Sequence, residues 1–168
     1  MSDFILTLHS YNVYLVILAG AVTGIWGLIL FFRTKSIASI SAASVSEAGS
    51  QETRSSEVST SNNEISERAR PWRVALTVTI ALALLQGLFG VIMVLLGLRP
   101  GRPGDSLYYL HFVYGAIVAL VIPVATTYAT GGKNRRRDIL VYSIAALILT
   151  AAAIRAWMTG PAVFTLLP

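Results

Sequence analysis

Four apolar runs, at 4–32, 74–98, 107–129 and 139–158, limit what this chain can become. A helix that crosses a bilayer needs about 20 apolar residues, and every run meets that length. None alternates polar and apolar residues as the strands of a membrane barrel do. Charged residues make up 12% of the 168-residue chain, against roughly a quarter in a soluble domain. Most of its surface must therefore meet lipid. The expected fold is all-α: an integral membrane four-helix bundle, with helix 1 in 1–33 and helices 2–4 in 71–168.

Loop charge sets the orientation of such a bundle. Arg33 and Lys35 follow the first run, and Arg68, Arg70 and Arg73 precede the second. The "GGKNRRRD" connection carries Lys133, Arg135, Arg136 and Arg137, whereas "RPGRPGDS" carries only Arg99 and Arg102 against Asp105. The two richly basic connections are expected in the cytoplasm, and "RPGRPGDS" and both termini outside. The net charge of +5 is then a matter of topology. The partner is the lipid bilayer, no nucleic acid is expected, and a bacterial plasma membrane is the simplest location. The start "MSDF", acidic at Asp3, lacks the basic n-region of a signal peptide, so the first run is expected to stay as a helix. Residues 34–70 are rich in Ser, Glu, Thr and Asn. Such a segment buries too little surface to offset its ordering entropy, so a disordered cytoplasmic linker is expected there. It serves either as a tolerated insertion or as a phosphorylated or partner-binding tail. Pro71–Trp72 suits a helix start, with Trp72 in the interfacial aromatic belt.

Small residues recur at helical spacing: Gly20, Gly24 and Gly27 in "GAVTGIWG", Gly87, Gly90 and Gly97 in the second run, and Gly115 in the third. They either let helices approach closely where lipid gives no hydrophobic drive, or leave room for a flat cofactor. The motif alone serves both. Pro123 is expected to kink the third helix.

Ionisable groups inside spanning helices are costly and mark function. Measured at 1.5 Å per residue, His111 lies about 6 Å below the outer end of its helix and Arg155 about 5 Å below the outer surface, with His9 at about the same boundary. Each has a plainer reading alone. His111 could bond a neighbouring carbonyl, Arg155 could snorkel to headgroups, and His9 could cap its helix or face water. Together they converge on one level. Two neutral imidazoles can bind haem iron from both faces, and a guanidinium pairs with a propionate in a forked geometry. His9 and His111 are therefore candidate axial ligands of a haem b. Arg155 is the candidate propionate partner, placed on an inward stripe with Ile148, Ala151 and Ala152 and helped by Arg99 and Arg102. Gly87 and Gly90 would wall the slot. The absence of cysteine removes thiolate metal sites and covalent haem attachment, and two histidines fall short of the three or four ligands that zinc or copper wants. Gln86 is expected to bond across helices. No nucleophile–base arrangement stands out, so no catalytic residue is assigned.

The stretch "LLQGLFGVIMVLLGLRPGRPGDSLYYLHFVYGAIVAL" resembles a helix–loop–helix of the haem A synthase family. There, a helix carrying Gln, then Gly and an apolar "xVLxGL", leads across an outer loop to "LH" opening the next helix. The matching positions are Gln86, Gly87, Gly90, Gly97, Leu110 and His111. That family is built from two similar four-helix bundles, each with one histidine near the outer end of its first helix and another on its third. His9 in "LHSYNVYLVILAG" takes the first place, so this chain looks like one such half. The resemblance implies haem binding. The second bundle and the helical acidic residue of the synthase are not matched.

The expected function is b-type haem binding, for electron transfer or haem handling in or beside a respiratory or photosynthetic membrane complex. The alternatives are a cofactor-free scaffold or assembly subunit of a larger membrane complex, and a half-size haem-modifying enzyme that works as a homodimer.

Overall fold

The computed structural model describes residues 2–45, 69–100, 108–132, 134–159 and 165–166. Helices α1 (Ser2–Val45), α2 (Arg70–Leu95), α3 (Tyr108–Tyr128) and α4 (Arg135–Thr159) run up and down as one bundle. Each holds a stretch long and apolar enough to cross a membrane: Asp3–Arg33, Arg70–Leu95, Tyr109–Tyr128 and Arg135–Thr159. The expected multi-pass, all-helical architecture is the one observed. One addition lies outside it. Strand β1 (Leu98–Arg99) pairs antiparallel with β2 (Thr165–Leu166), Leu98 opposite Leu166.

Spacing of three and four residues puts one stripe of each helix inward. On α1 the stripe includes His9, Val13, Val16, Gly20, Thr23 and Gly27. On α2 it is Trp72, Leu76, Thr79, Ala83 and Met93, and on α3 Val118, Ile122 and Ala125. On α4 it runs through Ile139, Ser143, Ala146, Leu149, Ala153 and Ala156. Small and hydroxyl side chains are buried, while Leu18, Ile25, Leu88, Leu120 and Ile148 face outward. This inverts the pattern of a soluble bundle, because lipid rewards close packing and internal hydrogen bonds more than apolar burial.

The closest approach joins α1 to α4. A Cβ on Gly20 would sit 2.5 Å from Thr150 Oγ1, and one on Gly24 2.7 Å from Leu147 Cγ. The "GAVTGIWG" glycines are therefore packing glycines. Gly97 has another role. Its φ of +75° ends α2 in the left-handed region that favours glycine, with its N–H donating to the Val94 carbonyl at 3.0 Å.

Buried hydroxyls are satisfied. Thr79 Oγ1 donates to the Ala75 carbonyl at 2.9 Å. Its single proton is thereby used, so Thr23 donates in the 2.9 Å Thr23–Thr79 bond that ties α1 to α2. Trp72 does not lie in an exposed belt. It is 3% exposed, and its indole N–H donates to the Thr23 carbonyl at 3.0 Å. Gly27 permits that approach, since a Cβ there would lie 2.7 Å from Trp72 Nε1.

Arg33, Arg70, Arg73, Arg135, Arg136 and Arg137 gather at the end of the bundle opposite the histidines, whereas Arg99 and Arg155 stand in the chain beside Leu98 and Ala156 at the histidine end. Asn134 caps α4 by accepting from the Arg137 N–H at 3.1 Å. Asp138 accepts from the Thr130 and Gly132 N–H groups at 2.6 and 2.8 Å, fastening the turn before α4. The Arg136 guanidinium lies 4.3 Å from the centre of the Phe31 ring, a cation–π contact. The disordered linker expected from residue 34 is not what residues 34–45 form, because α1 continues as helix to Val45. An existing helix adds one bond per residue fixed, and Ala38, Ala42 and Ala43 favour that extension. The rest of the expected linker, 46–68, lies outside the described residues, as do Arg102, Asp105 and Lys133.

Candidate functional site

His9 and His111 come together at the end of the bundle away from the Arg135–Arg137 turn. His9 is buried because it continues the inward stripe of α1, one turn before Val13. His111 lies in phase with Gly115, Val118 and Ile122 on α3. Their ring centres are 6.3 Å apart, with the planes at 52°.

Each ring is held by another helix. A carbonyl can only accept, so His111 Nδ1 carries the proton that it donates to the Ala156 carbonyl of α4 at 3.0 Å. In the neutral ring the lone pair then sits on Nε2. Histidines that bind metal commonly give the other ring N–H to a carbonyl in this way. His9 meets Gln86 of α2, whose Nε2 lies 3.2 Å from each ring nitrogen. Gln86 Oε1 accepts from Asn12 Nδ2 at 2.8 Å, and the same Asn12 nitrogen donates to the Leu82 carbonyl at 3.1 Å. Asn12 is 5% exposed. Gln86 stands out in the sequence as a polar residue within an apolar run, and Asn12 does not. The available signal was its phase, one residue before Val13 on the stripe that carries His9.

The two rings border a cavity of about 550 Å³ lined by all four helices. That volume falls within the range of cofactor and drug-sized ligand sites. Gly87, Gly90 and Gly115 form part of its wall. A Cβ on Gly90 or Gly115 would meet nothing within 4 Å, whereas one on Gly87 would lie 3.2 Å from Ala119 Cβ. The two roles that the sequence left open for its glycines are thus divided. The α1 glycines bring helices together, and those of α2 and α3 leave space beside the histidines. Tyr14 and Trp157 stand at the rim, where the Trp157 indole N–H donates to the Tyr14 hydroxyl at 3.2 Å. Leu98 and Pro100 cover the end of the cavity next to the β1–β2 pair.

Arg155 is not at this site. It is exposed and absent from the cavity wall. The packing stripe of α4 passes through Leu149, Ala152, Ala153 and Ala156, and Arg155 shares its outward face with Ile148 and Ala151. A shift of one residue turns a helical side chain by about 100°, which is why an inward stripe drawn through 148, 151 and 155 missed. The side chain of Arg99 and the whole of Arg102 lie outside the described residues.

Metal–imidazole bonds of roughly 2 Å put the centres of two rings sharing one metal about 6–6.5 Å apart, which matches the observed separation. The 52° between planes is compatible, since either ring can turn about the shared axis. Among the described residues no group of three or more His, Cys, Asp or Glu could hold a metal by itself. A bis-imidazole metal here would need its remaining positions filled by something other than protein, as in a macrocycle. No family model, curated protein or solved structure matches the chain.

Proposed function

We propose that this protein binds one b-type haem between α1 and α3, with His9 and His111 as axial ligands, for electron transfer or haem handling in a membrane. The observation that carries the reading is the 6.3 Å separation of the two imidazoles on the wall of a 550 Å³ cavity. Three features add support. The Ala156 carbonyl holds His111 in the tautomer whose Nε2 can bind metal. Gly90 and Gly115 leave the wall without side chains where a flat ring needs room. The resemblance of "LLQGLFG" and "LYYLH" to the haem A synthase family agrees with the same two positions, and we carry it as part of the proposal.

When bound, haem supplies a one-electron redox couple, and the chain tunes it through its ligands and their hydrogen bonds. This chain's part is to hold two neutral imidazoles, to fix His111 through Ala156, to exchange the Gln86 hydrogen bond on His9 for the metal, and to surround both rings with an apolar wall. Positive-inside bias puts the histidine end on the outer side of a plasma membrane.

The test is the absorption spectrum of the purified full chain after haem supplementation. The wild type should show a sharp Soret band and a reduced α-band near 560 nm, about where bis-imidazole b haems absorb. His111→Ala should abolish the bound haem, and His9→Ala should weaken it or make it high-spin. No band in the wild type would leave the cofactor-free scaffold. A low-spin spectrum in both variants would move the ligands elsewhere.

A further inference from the structure

The four flanks of the histidine cavity are closed to very different degrees. Between α1 and α2, the Asn12–Gln86 pair crosses the gap. Between α3 and α4, His111 is bonded to the Ala156 carbonyl. Between α1 and α4, Tyr14 and Trp157 meet edge to face with ring centres 6.0 Å apart. The end of the cavity is roofed by Leu98, which is 5% exposed, and by buried Pro100 beside the β1–β2 pair.

The fourth flank differs. Among neighbouring helices, α2 and α3 make the least extensive contact. Their seam is built from Gly87, Gly90, Gly115, Ala116 and Ala119, all on the cavity wall. Val91 and Val94 also line the cavity, yet they are 57% and 49% exposed. Along this seam the inner wall of the cavity is therefore also the outer, lipid-facing surface of the bundle.

We propose that the cavity loads and empties sideways, through the α2–α3 seam, from the lipid leaflet at the histidine end. The protein then works as an exchange site for an amphipathic tetrapyrrole dissolved in the bilayer, rather than as a permanently filled redox centre. This rests on the haem reading above and chooses haem handling within it. A ligand coming from water would have to pass the Leu98–Pro100 roof. One already in lipid arrives at the seam desolvated and meets glycine, alanine and valine, with Phe112 beside His111 at the level of the imidazoles. A macrocycle is wider than the gap between two helices at 8–10 Å axial separation, so α2 and α3 must part for it to enter, and they have the least packing to lose.

A staple across the seam tests this. The chain has no cysteine, and a Cβ on Gly87 would lie 3.2 Å from that of Ala119. A disulfide wants about 3.5–4.5 Å between its Cβ atoms, so Gly87→Cys with Ala119→Cys needs only a small adjustment. The full chain in phosphatidylcholine vesicles would be offered haemin from donor vesicles, and its release to excess acceptor vesicles would be followed at the Soret band. Oxidation should slow uptake and release alike, by about tenfold or more as for a locked lid, and reductant should restore both. Haemin loaded before oxidation should stay bound with an unchanged spectrum. Equal rates in the oxidised and reduced forms would overturn the lateral route. So would faster exchange in Trp157→Ala with no effect of the staple, which would move the route to the α1–α4 flank. If neither the wild type nor the reduced variant takes up haemin, the haem reading itself fails and this proposal falls with it.

Discussion

Adding one methyl group to each of two glycines should have opposite consequences. In Gly20→Ala the new Cβ would lie 2.5 Å from Thr150 Oγ1, 3.0 Å from Leu149 Cδ2 and 3.3 Å from the Ala146 carbonyl oxygen. Thr150 cannot swing away freely, because its hydroxyl donates to the Ala146 carbonyl at 2.8 Å. Helix α4 must then move off α1, and overpacking of this kind costs about 1–3 kcal/mol. In Gly90→Ala the Cβ meets nothing within 4 Å. Both changes gain the same helix propensity, up to about 1 kcal/mol, so this gain cancels when the variants are compared. Gly20→Ala should be less stable than Gly90→Ala by about 1–3 kcal/mol, or roughly 5- to 150-fold in the folding equilibrium. Reversible unfolding in mixed micelles, followed by circular dichroism, measures the gap. A difference under about 0.5 kcal/mol, the scatter of ordinary surface changes, would refute the claim that α1 and α4 are in limiting contact at Gly20. The comparison bears on function as well. Helix α4 carries the carbonyl that holds His111, so the α1–α4 spacing sets the distance between the two imidazoles.

Gln86→Leu removes the amide N–H that donates to the one lone pair of neutral His9, so haemin affinity should not fall; a loss of about 10-fold or more would show that Gln86 orients the ligand as a supporting partner does. Arg155→Leu should leave the haem spectrum and midpoint potential unchanged and stability within about 0.5 kcal/mol, as for an exposed position; a clear fall in midpoint would mean that Arg155 turns inward in the loaded protein. Gly90→Leu should insert and fold but lose haemin binding, because its side chain enters the cavity; full affinity would show that the cavity is not the site. Cysteines at Ser56 and Ser106 should react differently with an impermeant reagent applied outside, Ser106→Cys labelling and Ser56→Cys not, as loop charge requires; the reverse pattern would invert the bundle.

The number of helices and the membrane-spanning architecture were determined by the sequence alone, though not the continuation of α1 to Val45. A bilayer imposes a fixed length and forbids unsatisfied backbone within it, so four long apolar runs leave one solution. The level shared by His9 and His111 was legible for the same reason, since depth along a helix follows from counting residues. Facing was not, because it changes by about 100° per residue. Arg155 and Ala156 are neighbours in the chain, yet one is exposed and the other supplies the carbonyl for His111. Glycines on the inner faces of different helices behave differently, because what a glycine is for depends on the atoms facing it: Leu147 and Thr150 at Gly24 and Gly20, open space at Gly90 and Gly115. Trp72 reads as an interfacial anchor by its place in the chain, and only the approach allowed by Gly27 lets it reach the Thr23 carbonyl. Asn12 carries no motif at all, and its importance comes from lying opposite Gln86, seventy-four positions away. Depth is a one-dimensional quantity that a single helix fixes by itself, whereas contact across a bundle depends on how all four helices turn against one another.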